Sequence, residues 1–173
     1  AEHDIHTRVG LITTSREAAW QTLKEVESQL EDLPTANVAR PSWVEFGEIV
    51  LAPDEATMIA YSDHVAAEHL QVHTRDAQAT GRKLRNYGSL FIDKRASVVY
   101  SDKCCGTNHT LPTMRAGRYT GGLWVGSFVK VATHQWMDPE GVEAVAPPAM
   151  RQSATEGMEG HRGAAALRLE AKT

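Results

Sequence analysis

The chain has 173 residues, 42% of them hydrophobic and 23% charged, with a formal net charge of -4. That is enough for one domain with a sizeable core, at a composition ordinary for a soluble protein. An acidic chain without clustered Lys and Arg excludes a general nucleic-acid binder, and no apolar run has the length of a membrane span.

The opening Ala1-Glu2-His3-Asp4 is polar, unlike a secretory leader. The two cysteines, Cys104 and Cys105, are adjacent. Adjacent cysteines rarely pair with each other, and free thiols suit a reducing compartment, so the expected location is cytoplasmic. The eight histidines are dispersed rather than gathered at one end, which makes some of them candidates for metal or substrate binding.

Arg8 to Thr13 reads as a buried strand built on Val9, Leu11 and Ile12. Thr14 and Glu17 have the spacing of a capping box and open a helix. Its Ala19, Leu23, Val26 and Leu30 make one apolar face, and Leu33-Pro34 ends it. Gly47 to Ala52 is a second short strand. Pro53 suits a first helical turn, Asp54 and Glu55 favour its N-terminal dipole, and Met58, Ile59 and Val65 point inward. A third strand centres on Leu70 and Val72. A short helix from Ala77 to Leu84 leads to an apolar strand, Gly88 to Ile92. Strand–helix–strand–helix–strand predicts an α/β fold: half of a doubly wound, Rossmann-like parallel sheet over residues 1–92.

From Asp93 the sequence becomes rich in breakers: Gly106, Pro112, Gly117, Gly121 and Gly122. Residues 93–137 read as active-site loops with one helix, Leu123 to His134. Residues 138–173 read as a linker, Asp138 to Pro148, followed by a last helix over 149–171. That helix carries Met150, Ala154, Met158 and Leu167, too thin an apolar face to stand alone. It is expected to dock on another chain.

Two stretches carry chemistry. Glu68-His69 sets a carboxylate beside an imidazole, the default general base near neutral pH; the plain alternative is a solvated pair at a helix-to-strand junction. The pair precedes a strand, whereas such sheets place ligands beyond strand C-termini, so other loops must complete its pocket. The second stretch, Ser101 to Thr113, is polar and rich in groups that ligate metals or bind substrates. Lys103 is either a point charge for an anionic substrate group or a solvated lysine. Cys104 and Cys105 lack the spaced-pair pattern of thiolate zinc sites. Trp20, Trp43, Trp124 and Trp136 fit core or interface positions, and no Gly-x-Gly-x-x-Gly phosphate loop occurs.

Ala67-Glu68-His69-Leu70, the loop Asp102 to Thr113, Arg118-Tyr119-Thr120-Gly121-Gly122-Leu123 and Glu156-Gly157-Met158-Glu159-Gly160-His161 together resemble the C-terminal half of the histidinol dehydrogenases. Ala1-Glu2-His3 is similar to the end of that family's zinc motif. Asn86 to Phe91 and Asp102-Lys103 look more like the sulfopropanediol dehydrogenase branch. The resemblance implies zinc- and NAD-dependent oxidation of a small primary alcohol to a carboxylate through an aldehyde. It implies His69 as general base and Glu68 as the group that activates water. His3 and Asp102 match zinc ligands, and His161 matches a zinc ligand from the other subunit of a homodimer. His109 and Glu156 match substrate contacts, with Lys103 kept as a third. The glutamine of the zinc motif is not in this chain, nor is the N-terminal half with its NAD-binding domain, and Ser101 stands where a glycine is usual. The expectation is a catalytic half that is inactive without a separate or attached N-terminal half. The alternative is a truncated, non-redox relative acting as a binding or regulatory module.

Overall fold

The computed structural model describes residues 1–106 and 109–171; Thr107, Asn108 and the Asp102 side chain lie outside the described part. The chain divides into two compact units, residues 1–128 and 129–173.

The first unit is mixed α/β. In chain order it holds β1 (Val9–Thr13), α1 (Arg16–Asp32), α2 (Ala36–Phe46), β2 (Gly47–Leu51), α3 (Glu55–Val65), β3 (His69–Val72), α4 (Ala77–Gly81), β4 (Ser89–Ile92) and α5 (Val98–Lys103). Every strand pairing is parallel. β1 pairs with β2, Leu11 opposite Ile49, and β3 pairs with β4, His69 opposite Ser89. Among the described residues the strands thus form two two-stranded ladders. The core lies beneath the second ladder: Val72, Ala77 and Leu84 are buried, with Ile59, Leu70, Tyr87, Leu90 and Ile92 packed on them. Ile59 comes from α3, so this cluster seats that helix against β3 and β4.

Local starts and stops differ from the sequence reading by a residue or two. Ser15, not Thr14, caps α1: its backbone is extended and its hydroxyl accepts from the Ala18 amide at 3.2 Å. Glu17 accepts instead from Gln21 on the next turn. Asp54 caps α3 through the Thr57 amide at 2.7 Å, which leaves Pro53 outside the helix. The helix α2 has no counterpart in the sequence reading. Pro41 lies inside it and removes one backbone donor, which obscures the helical signal. Tertiary contact sustains it. Ser42 is 0% exposed, and its hydroxyl donates to the Thr7 carbonyl at 2.8 Å, fastening α2 to the segment that enters β1.

Three expectations beyond Asp93 are corrected. The helix expected over Leu123 to His134 is only a 3-10 turn, Val125–Phe128. Gly121, Gly122 and Gly126, with β-branched Val125, Val129 and Val131, weaken helix formation there. The linker expected over Asp138 to Pro148 is helical. In the second unit α6 (Pro139–Thr155) starts at Asp138, whose carboxylate accepts from the Gly141 amide at 2.7 Å. Pro139 supplies a fixed φ at the first turn. The single last helix is broken at Gly157, which takes φ +71°, so α6 and α7 (Glu159–Glu170) form a helical hairpin.

Two outcomes follow from these contacts. Ser42→Ala removes the hydroxyl that the half-buried Thr7 carbonyl accepts from, and urea unfolding is expected to register a loss of about 0.5–1.5 kcal/mol. The Thr57 amide holds Asp54 below its ordinary value of 3.8, and Lys83 with Thr80 holds Glu55 below 4.5. A depressed carboxylate stabilises the fold above its unfolded value and loses that contribution as pH falls through the folded one. The thermal midpoint should therefore decline as pH drops below the ordinary carboxylate range, and Glu55→Gln should flatten part of that decline.

Candidate active site

The site grows from the end of α3. Ala66 caps that helix in the left-handed conformation, φ 50° and ψ 58°, with its amide on the Ser62 carbonyl at 2.9 Å. The chain turns there, passes Ala67 and Glu68, and enters β3 at His69. Glu68 is half-buried and His69 is exposed at the first position of the strand. The imidazole stacks on Phe91, centroids 6.1 Å apart at 17°. Phe91 lies diagonally across the ladder, since Gln71 is its direct partner. Phe91 is itself 7% exposed, so a rigid ring supports one face of the imidazole. Among the described residues neither His69 ring nitrogen has a hydrogen-bond partner, which leaves both for a substrate.

The polar loop is tied to this corner at its root. The Gly88 amide donates to the Ala67 carbonyl at 2.9 Å, and the Ser89 amide to the Glu68 carbonyl at 2.8 Å. A Cβ at Gly88 would meet the Glu68 oxygen at 2.5 Å and Pro112 Cδ at 3.0 Å. Only glycine lets these three backbones come so close. On its other side the loop meets Gly122, which takes φ +83°; a Cβ there would lie 2.5 Å from the Thr110 carbonyl. The Leu123 amide donates to that carbonyl at 3.1 Å. Residues 110–112 are thus held between Glu68-Gly88 and Gly122-Leu123, and exposed His109 adjoins that root.

A pair of arginines fastens the next turn. Arg115 Nε and Nη2 donate to the His64 carbonyl at 3.1 and 2.7 Å, and Arg118 Nη2 donates to it at 2.6 Å. Arg115 Nη2 also donates to His64 Nε2 at 2.9 Å. His64 lies in the last turn of α3, where carbonyls lack helical partners and the dipole favours cations. The arginines sit in a turn whose Met114 and Arg115 both take positive φ, 50° and 67°. Such residues cost about 1–3 kcal/mol each, so the turn needs an external hold.

The other candidates sit as follows. Lys103 ends α5 and is exposed. The turn that leads into that helix is tied to β3, because Gln71 Nε2 donates to the Ala96 carbonyl at 2.6 Å. The Asp102 side chain lies outside the description. His3 is exposed in a turn-rich opening segment, where Asp4 accepts from the His6 amide and ring. Glu156 and His161 belong to the second unit and are exposed; the Glu156 carboxylate accepts from Gln152 Nε2 at 3.1 Å. Among the described residues no three His, Cys, Asp or Glu side chains gather as a metal site. The structure therefore joins Glu68, His69 and the root of the His109 loop. It also reveals positioning residues that the sequence reading passed over: His64, Gly88, Arg115, Arg118, Gly122 and Gln71. Close glycine contacts leave a weak sequence signal, and the arginines read as ordinary surface charges.

Arg115→Ala should free the turn that it holds. Amide hydrogen exchange over residues 113–119 is expected to quicken by about 10-fold, the order that losing a charge-assisted bond implies. Exchange in β1 and β2 should not change.

Comparison with known proteins bears on the family and the fold. The family model described as histidinol dehydrogenase matches residues 1–169. A histidinol dehydrogenase homolog of Shouchella clausii is 44% identical over 170 residues, covering 98% of this chain and 40% of that protein. A sulfopropanediol 3-dehydrogenase of Ruegeria pomeroyi is 41% identical over 171 residues, covering 98% of this chain and 39% of that protein. The crystal structure of histidinol dehydrogenase from Elizabethkingia anophelis superposes with a TM-score of 0.87 at 30% identity, covering 99% of this chain and 39% of the other. This chain spans about 40% of the length of the curated relatives it matches. With a match that runs over nearly all its length, in sequence and in fold, the chain belongs to the histidinol dehydrogenase family.

Proposed function

We propose that this chain is the catalytic C-terminal portion of a cytoplasmic dehydrogenase that oxidises a small primary alcohol to a carboxylate through an aldehyde. The observation that carries the reading is the position of Glu68 and His69. In a chain of this family, the pair stands at a strand end bonded through its backbone to Gly88-Ser89, and Pro112 of the loop that follows His109 lies close to Gly88. His69 takes the hydroxyl proton. Its ring face is supported by Phe91 and its nitrogens are open, so the imidazole is oriented yet accessible. Glu68 activates the water that attacks the aldehyde in the second oxidation. His109 and Glu156 contact the substrate, and Lys103 supplies a point charge for an anionic group on it.

His3, Asp102 and His161 of a second copy are the proposed zinc ligands, which makes the working form a homodimer. Two imidazoles and a carboxylate suit that ion. Zinc held there would supply Lewis-acid polarisation of the alcohol, and NAD would supply the hydride acceptor. The described residues of one chain do not by themselves gather a three-ligand set. NAD is assigned to the part of the relatives' length that this chain does not span. Large exposed apolar side chains, Tyr119, Trp124, Val125 and Phe128 among them, support a chain that works within a larger whole.

Hydride transfer needs the acceptor about 3–3.5 Å from the reacting carbon, and such positioning supplies roughly 7–11 kcal/mol of the barrier. The isolated chain should therefore leave NAD unreduced with histidinol or sulfopropanediol. Joined to the N-terminal part of its parent, it should form NADH. His69→Asn is then expected to lower turnover by about 10²–10⁴-fold, with partial recovery at high pH where the hydroxyl ionises more readily. Glu68→Gln should let the aldehyde accumulate. Steady NADH formation by the isolated chain, or full turnover in His69→Asn, would overturn these assignments.

A further inference from the structure

We propose that Cys104 and Cys105 form a dithiol site for a thiophilic trivalent centre of the monosubstituted arsenical class. This goes beyond the dehydrogenase reading and does not depend on it. The two thiols are exposed and are the only cysteines in the chain. They follow α5 immediately, in a tight turn: the amides of both residues donate to the Tyr100 carbonyl, at 2.9 and 2.8 Å. Cys104 takes φ -148° and ψ -6°, so the pair is not extended. An extended pair would send successive side chains to opposite faces. The following residue is Gly106, and nothing lies within 4 Å of where its Cβ would be. Among the described residues nothing crowds the chain at Gly106, and both thiols are exposed.

Direct closure to a disulfide is disfavoured. Consecutive α-carbons are about 3.8 Å apart across a trans peptide, whereas disulfides prefer roughly 4.4–6.8 Å. A third atom between the sulfurs removes that restriction. A trivalent arsenical needs only two protein ligands, because it carries its own organic substituent. With phenylarsine oxide, two As–S bonds form, the arsenic–oxygen bond breaks, and both thiol protons leave with the oxygen as one water. No oxidation state changes, so no oxidant is required.

The test treats the whole chain with phenylarsine oxide and reads its intact mass after washing with excess glutathione, then with dithiothreitol. One phenylarsenic per chain should survive the monothiol and be stripped by the dithiol. In Cys104→Ser and in Cys105→Ser the adduct should be lost already to glutathione. Both positions are exposed, so either serine is tolerated by packing. An adduct that glutathione strips from the native chain would overturn the proposal. So would one that survives glutathione in either single variant, or two adducts per chain.

Discussion

One carbonyl oxygen does an unusual share of the organising. The His64 carbonyl, in the last turn of α3, accepts from three guanidinium N–H groups of Arg115 and Arg118. A helix C-terminus offers unpaired carbonyls and the negative end of the dipole, and two cations answer both. The consequence is geometric. The same helix end runs through left-handed Ala66 into Glu68 and His69, while the arginines belong to the loop that begins at His109. Two sequence-distant pieces of the candidate site are thus referred to one point.

Close backbone approach adds a second constraint. Glu68, Gly88, Pro112, Thr110 and Gly122 lie so near one another that side chains at the two glycines would collide with carbonyl oxygens. Hydrogen bonds between backbones then replace side-chain packing as the glue. This arrangement is stiff at its base and open above. His69 and Lys103 are exposed, yet each belongs to an element tied down nearby: His69 to the ladder and Phe91, Lys103 to a helix whose leading turn Gln71 links to β3. Rigid roots with open ends suit residues that must meet a substrate in a fixed orientation.

The residues proposed for the site are divided unequally between the two units. The first carries Glu68, His69, Lys103 and His109, and the second, a helical hairpin, carries Glu156 and His161. The chain spans about 40% of the length of the relatives it matches. Many large apolar side chains are exposed between Tyr119 and Trp136.

The sequence by itself determined the α/β alternation, the four strands to within a residue or so, and the family. Strands with runs such as Ile49-Val50-Leu51 announce themselves, because consecutive β-branched and apolar residues fit a pleated surface. Glu68-His69 stood out only beside the other motifs of the family, since alone the pair also fits a solvated junction. Tertiary structure alone decided α2, whose interior proline hides the helix and whose buried Ser42 is satisfied by a carbonyl 35 residues away. It also decided that 139–148 is helix: of the prolines that suggested a linker, Pro139 sits at the first turn and Pro147 and Pro148 lie inside the helix. The arginine hold on His64 was invisible for the same reason. It joins residues 51 and 54 positions apart, and no local pattern encodes which carbonyl a distant guanidinium will meet. Periodicity reports what a segment buries, whereas pairing between remote segments is settled only when the chain has folded.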